Sequence, residues 1–222
     1  MTDNSRAILA EALGSALLFA TVIGSGIMAD HLSAGNVAVA LLANAVATGA
    51  LLFVLITMLG PVSGAHFNPA VTLVMHLRGA IGLRLALAFA GAQLAGGVAG
   101  TWVAHGMFDL PVWQVSHHLR TGSGQWLGEA VATFGLVLTI QGTVRMRPDA
   151  VPASVALYIT GAYWFTSSTS FANPAITVAR ALSDTFAGIA PASVPGFVVA
   201  QIAGALIALA VARVLFPDEA RA

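Results

Sequence analysis

Apolar residues dominate six long stretches of the chain, near residues 7–29, 37–59, 84–107, 125–144, 151–167 and 195–216. Each comes close to the ~20 residues that a helix needs to cross a hydrocarbon layer of ~30 Å. The breaks between them are polar and bear Pro or Gly, at 30–35, 109–124 and 145–152, the middle one being the longest. The pattern predicts an all-α membrane protein with six transmembrane helices, forming a single transmembrane domain over 1–222. The first apolar stretch follows a short segment with one basic residue, Arg6, and it contains Glu11. Lacking a clear cleavage site, it reads as the first span rather than as a signal peptide.

Two shorter stretches do not fit the spanning pattern. Asn68-Pro69-Ala70-Val71-Thr72 and Asn173-Pro174-Ala175-Ile176-Thr177 share four of five residues. Asn is a favoured N-cap, and Pro loses nothing at the next position because its missing amide would be unpaired there anyway. Each stretch therefore starts a helix, and Gly79 or Ser183-Asp184 stops it after about three turns. At ~1.5 Å per residue neither helix crosses a bilayer. They read as two re-entrant half-helices that enter from opposite faces and meet at the midplane, where irregular backbone survives only if protein buries it or a wet cavity solvates it. Their amino ends then face each other with unpaired amides and partial positive charge, an arrangement that binds lone pairs and repels cations.

Composition sets the medium and removes other classes. Of 222 residues, 58% are hydrophobic and 8% charged. Mean hydropathy is +0.87, whereas a soluble domain carries about 25% charge. Net charge is zero and Lys is absent, so no basic patch for nucleic acid is present. With no Cys there is no disulfide framework or thiolate site.

The halves repeat, over about 6–107 and 125–216. Glu11 and Glu129 match. So do Thr48-Gly49-Ala50 with Thr160-Gly161-Ala162, and Ala92-Gln93-Leu94-Ala95-Gly96 with Ala200-Gln201-Ile202-Ala203-Gly204. Three spans per half place the second half in inverted orientation, with a path along the seam. With the N-terminus inside, Arg6, Arg78, Arg84, Arg145, Arg147, Arg213 and Arg221 are cytoplasmic, and only Arg120 and Arg180 lie outside. Both termini are therefore expected in the cytoplasm. Gly14, Gly91, Gly96, Gly97, Gly100 and Gly204 are read as packing sites for close helix approach.

With paired Asn-Pro-Ala signatures about 100 residues apart, and the longer run from Ser63 to Thr72, the chain resembles the aquaporin, or major intrinsic protein, family over about residues 6–216. Over its whole length it is similar to a bacterial subgroup associated with arsenic-resistance genes, including Phe171-Ala172-Asn173-Pro174-Ala175 and the run from Ala181 to Phe186. The resemblance implies an aquaporin-like channel in the bacterial inner membrane, a homotetramer with one pore per subunit, in which Asn68 and Asn173 orient the permeant. It assigns Glu11 and Glu129 to bracing the re-entrant loops. Counted from the motifs, the family's four filter positions map to Thr48, Gly161, Ser170 and Ile176. Members usually carry an Arg where this chain has Ile176. Arg180 lies one turn further on the same face, and it either substitutes from a more external position or plays a structural or vestibular part.

These filter residues are small or medium and uncharged, which predicts a wide pore that is apolar on one wall and hydroxyl-bearing on the other. The expected activity is passive passage of water and small neutral solutes: glycerol, urea, or the neutral trihydroxide of trivalent arsenic or antimony. No covalent chemistry, cofactor or metal is expected. His66 is read as a pore-wall or loop-bracing residue, with gating by protonation as the alternative. His117 and His118 are read as a solvated loop, there being no Cys or carboxylate at ligand spacing. The alternative function is a proton-coupled secondary transporter using Glu11 or Glu129, since ionisable groups within spans are functional candidates.

Overall fold

The structure, a computed structural model, describes residues 3–217. Arg221, counted above among the cytoplasmic arginines, lies outside them. The elements are helices α1 (Asp3–Leu32), α2 (Val37–Ser63), α3 (Pro69–Leu77), α4 (Leu83–Met107), α5 (Ser123–Met146), α6 (Val151–Phe165), α7 (Pro174–Arg180) and α8 (Val194–Leu215). Short 3-10 turns, Pro148–Ala150 and Pro191–Ser193, lead into α6 and α8. There are no strands among the described residues.

Local chemistry sets several boundaries. The Asn36 side chain accepts from the amides of Ala38 and Val39 at 3.1 and 3.2 Å and opens α2. Gly64, at φ 88°, closes it in the left-handed conformation that glycine adopts freely. The half-helices begin where Asn-Pro placed them and are shorter than three turns, with nine residues in α3 and seven in α7.

Among the described residues, five helical segments are long and apolar enough to cross a membrane, and α6 is not one of them. Its 15 residues span about 22 Å. The apolar stretch near 151–167 predicts a longer helix, but Thr166 is extended (φ −104°, ψ 137°). Its hydroxyl turns back to the Ala162 carbonyl at 2.7 Å, so the Ser/Thr run after it belongs to a loop.

The closest backbone approaches repeat in the two halves. A β-carbon at Gly96 or Gly100 of α4 would overlap the carbonyl oxygen of Ala12 or Ala16 in α1, and one at Gly204 of α8 would overlap that of Ala130 in α5. Small residues thus let helices meet backbone to backbone, the expected mode where lipid removes the hydrophobic drive for association. Gly14 and Gly97 instead make room for the rings of Phe67 and Phe19. Gly91 is exposed and makes no close helix contact within this chain. The outer faces carry large apolar side chains such as Leu9, Leu87, Leu157 and Val199, which suits a lipid solvent.

Candidate pore

The amino ends of α3 and α7 are tied to each other's entry loops. Asn68 Oδ1 accepts from the Ala70 amide at 2.9 Å, while its Nδ2 donates to the Ala172 carbonyl at 2.7 Å. Asn173 mirrors this: Oδ1 accepts from Ala175 and Ile176 at 3.0 and 3.3 Å, and Nδ2 donates to the Phe67 carbonyl at 2.8 Å. A side-chain amide has two N–H groups. One on each asparagine goes to these cross-ties.

The loops before the two asparagines adopt matching unusual backbones. The third and first residues ahead of each are left-handed: Ala65 and Phe67 at φ 49° and 48°, Ser170 and Ala172 at 52° and 47°. For residues other than glycine this costs about 1–2 kcal/mol each, so the loops need external support. Glu11, fully buried, provides it in the first half: Oε1 accepts from the Ser63 hydroxyl at 2.6 Å and the His66 amide at 2.9 Å. Its Oε2 accepts from the Phe67 amide and Gln93 Nε2, both at 2.7 Å. Glu129 takes the Phe171 and Ala172 amides at 2.8 and 2.9 Å and Gln201 Nε2 at 2.6 Å. The second proton of each glutamine amide reaches a threonine of the half-helix, Gln93 to Thr72 at 2.9 Å and Gln201 to Thr177 at 2.8 Å. Glu–Gln–Thr is thus a duplicated buried brace.

The brace also orients His66. Thr72 Oγ1 accepts from Gln93 and lies 3.0 Å from His66 Nδ1. The ring is further held edge-on to Phe89 at 5.5 Å.

One cavity of about 300 Å³ runs along the seam between the halves. Its walls come from Leu18 and Val22 of α1, Thr48, Leu52 and Ile56 of α2, Leu136, Ile140 and Val144 of α5, and Val151, Val155, Ile159 and Tyr163 of α6. Both asparagines, His66, Ser170, Ile176 and Arg180 line it as well. Neither Glu11 nor Glu129 is part of the lining.

Of the four mapped filter residues, Thr48, Ser170 and Ile176 face this cavity and are 3%, 3% and 5% exposed to solvent. Gly161 does not; it is exposed on another face of α6, with nothing within 4 Å of where a β-carbon would sit. The correction follows from helix geometry. The cavity-facing residues of α6 recur every four positions, and Gly161 falls midway between Ile159 and Tyr163, on the far side. Tyr163 takes that place, with its hydroxyl 3.3 Å from Thr48 Oγ1. The stripe at 151, 155, 159 and 163 is the sequence signal that motif counting passes over. Ser170 Oγ is buried without a partner among the described residues.

Arg180 is 3% exposed. Its Nε donates to the Ala187 carbonyl, and its guanidinium carbon lies 3.3 Å from the Phe171 ring centroid. Outside the cavity, His117 and His118 are not isolated from carboxylates. Asp184 receives the His117 amide at 2.8 Å and stands 3.1 Å from His117 Nδ1 and 3.7 Å from His118 Nε2. That neighbour is 67 residues away in sequence, so spacing alone does not reveal it.

A narrow cavity threaded between two broken helices in a lipid-facing bundle defines a membrane channel. The major intrinsic protein family model matches residues 1–170. Over 211 residues the chain is 57% identical to the aquaglyceroporin AqpS of Rhizobium meliloti, covering 95% of this chain and 90% of that protein. It is 35% identical to the lens fiber major intrinsic protein of Gallus gallus over 157 residues, 68% of this chain and 58% of that one. The X-ray structure of the aquaglyceroporin from Plasmodium falciparum superposes with a TM-score of 0.72, covering 96% of this chain and 98% of that one. At 20% identity that likeness speaks for the fold alone. The chain belongs to the major intrinsic protein family.

Proposed function

We propose that the channel passes water and small uncharged hydroxyl-bearing solutes down their gradients: glycerol, urea, and the neutral trihydroxides of trivalent arsenic or antimony. The observation that carries this reading is the chemistry of the cavity wall. It is mostly aliphatic, with single donors from Asn68 and Asn173 at its waist and hydroxyls of Thr48, Tyr163 and Ser170 nearby. Ile176 at the outer end brings no donor, so a solute with carbon or a semimetal at its centre is not penalised there as it would be beside a fixed guanidinium. In this reading Asn68 and Asn173 orient the guest, with Pro69, Ala70, Pro174 and Ala175 shaping the half-helix starts. Thr48, Tyr163, Ser170 and Ile176 set size, His66 adds a polar ring to the wall, and Glu11 and Glu129 brace the loops. No covalent step or cofactor enters.

The aquaglyceroporin relative, a bacterial protein of similar length, supports placing the channel in the inner membrane. The excess of arginine on one side supports both termini being cytoplasmic. Exposed apolar helix faces are available for a homotetramer with one pore per subunit. Proton coupling through Glu11 or Glu129 is disfavoured, because both lie behind the wall and their oxygens are engaged by backbone amides.

Stopped-flow light scattering of proteoliposomes challenged with water, glycerol, urea and arsenite gradients tests the reading. Swelling faster than in empty vesicles, with no accumulation when a pH gradient is imposed, is the expected result. Solute concentrated against its gradient would instead establish a coupled transporter.

A further inference from the structure

The chain lacks an arginine at the usual filter position yet buries one a turn away. We propose that Arg180 is the cation barrier of this pore, supplying from further out the charge that Ile176 does not. The proposal rests on the channel reading above.

Repeat symmetry shows that the fold does not require this charge. Arg180 lies seven residues after Asn173, and Met75 lies seven after Asn68; both line the cavity, at matched points of the two halves. Ile176 likewise matches Val71, and Phe171 matches His66. The inner half therefore builds its wall with a thioether where the outer half places a guanidinium.

The charge is held firmly and left unneutralised. Nε is spent on the Ala187 carbonyl, and the guanidinium carbon rests over Phe171, a ring braced edge-on by Phe197 at 5.1 Å. The Arg180 carbonyl accepts from Ser183 and Ile189, both at 3.3 Å, which fastens the following loop to the same point. No ion pair to Arg180 forms among the described residues. Glu129 stands behind Phe171 with its oxygens engaged by the Phe171 and Ala172 amides and Gln201. Arg120 adds a second positive group 5.2 Å from the same ring, anchored by Nε to the Gly188 carbonyl at 2.8 Å. A guanidinium keeps its charge near neutral pH, and a cation entering the cavity meets Arg180, which lines it. Because Arg180 is drawn against Phe171, it repels charge while leaving the bore to Thr48, Tyr163, Ser170 and Ile176. Size selection and charge exclusion, which one arginine combines elsewhere in the family, fall here to different residues.

The test compares wild type with Arg180→Met, the residue of the matching half, and with Arg180→Lys, in vesicles loaded with a pH-sensitive dye and clamped by a potassium diffusion potential. Proton leak per unit of water flux is expected to rise at least tenfold in Arg180→Met and to stay within about twofold of wild type in Arg180→Lys, with glycerol flux retained in both. Arg180→Gln, which keeps an N–H for the Ala187 carbonyl but no charge, serves as a second neutral variant should the methionine variant fail to assemble, and it too is expected to leak. A conducting wild type whose neutral variants stay as proton-tight as itself overturns the barrier and leaves the channel reading intact. A wild type that passes neither water nor glycerol overturns the channel reading instead.

Discussion

Thr48 and Tyr163 bring their hydroxyl oxygens to 3.3 Å across the cavity although 115 residues separate them. The contact joins α2 of the first half to α6 of the second, so the bore at that level depends on how the halves meet. Tyr163→Ala is expected to raise glycerol flux several-fold, while losing about 3 kcal/mol of packing. Gly161→Ala, on the opposite face, is expected to leave flux unchanged. Equal effects in a stopped-flow comparison would return the filter position to Gly161.

Ile176→Arg puts a guanidinium at the level of the residues proposed to set size, where the wall is otherwise uncharged. Glycerol and arsenite permeability should fall roughly tenfold, the equivalent of about 1.4 kcal/mol in barrier, and water permeability much less. Unaltered glycerol flux would show that Ile176 does not bound the bore.

Glu11→Gln trades one of two accepting oxygens for an amide that faces donors, either Ser63 and His66 or Phe67 and Gln93. Hydrogen bonds to a charged group are worth about 1.5–3 kcal/mol each, so the variant should lose about 3 kcal/mol and melt earlier in detergent. Glu129→Gln should behave alike. A variant as heat-resistant as wild type would contradict the bracing role.

Gly100→Ala forces a methyl group into the Ala16 carbonyl, and neither backbone can yield without parting α1 from α4. Little monodisperse protein is expected on size exclusion. Gly91→Ala, with open space around it, is the matched control and should purify normally.

Asp184 clasps the loop between α4 and α5 to the segment after α7. The His117 backbone amide, then the His117 side chain, hold its carboxyl below the usual carboxylate value. A carboxyl depressed in the folded state adds stability that is complete above its unfolded value of 3.8 and is lost as pH falls through the lower folded value. The His117 amide should therefore keep constant hydrogen-exchange protection from neutral pH down to about 5 and lose it only below about 4. Loss of protection well above pH 5 would show that the Asp184 carboxylate does not hold this loop.

Much of this molecule is visible before folding. Runs of about twenty apolar residues can only be satisfied in lipid as helices, and Asn-Pro sets a helix start through its own capping atoms. The half-helices, the duplicated glutamates and the seam between the repeats follow from such local or repeated chemistry. Cavity residues next to the second motif, Ser170 on the loop before it and Ile176 in α7, are legible for the same reason, since they count directly from Asn173.

What only the tertiary structure decided is which way distant surfaces turn. Counting across the loop at 166–172 points to Gly161, yet the rotation of α6 is settled by its packing against α2, where Gly49 admits Thr160; that rotation brings Tyr163 to the cavity. Asp184 meets His117 because the loop between α4 and α5 folds over the segment after α7. Sequence carries the periodicity of each helix, but the angle at which a helix presents its stripe is a property of its neighbours. A pore, being the space left between helices, is fixed only once they have packed.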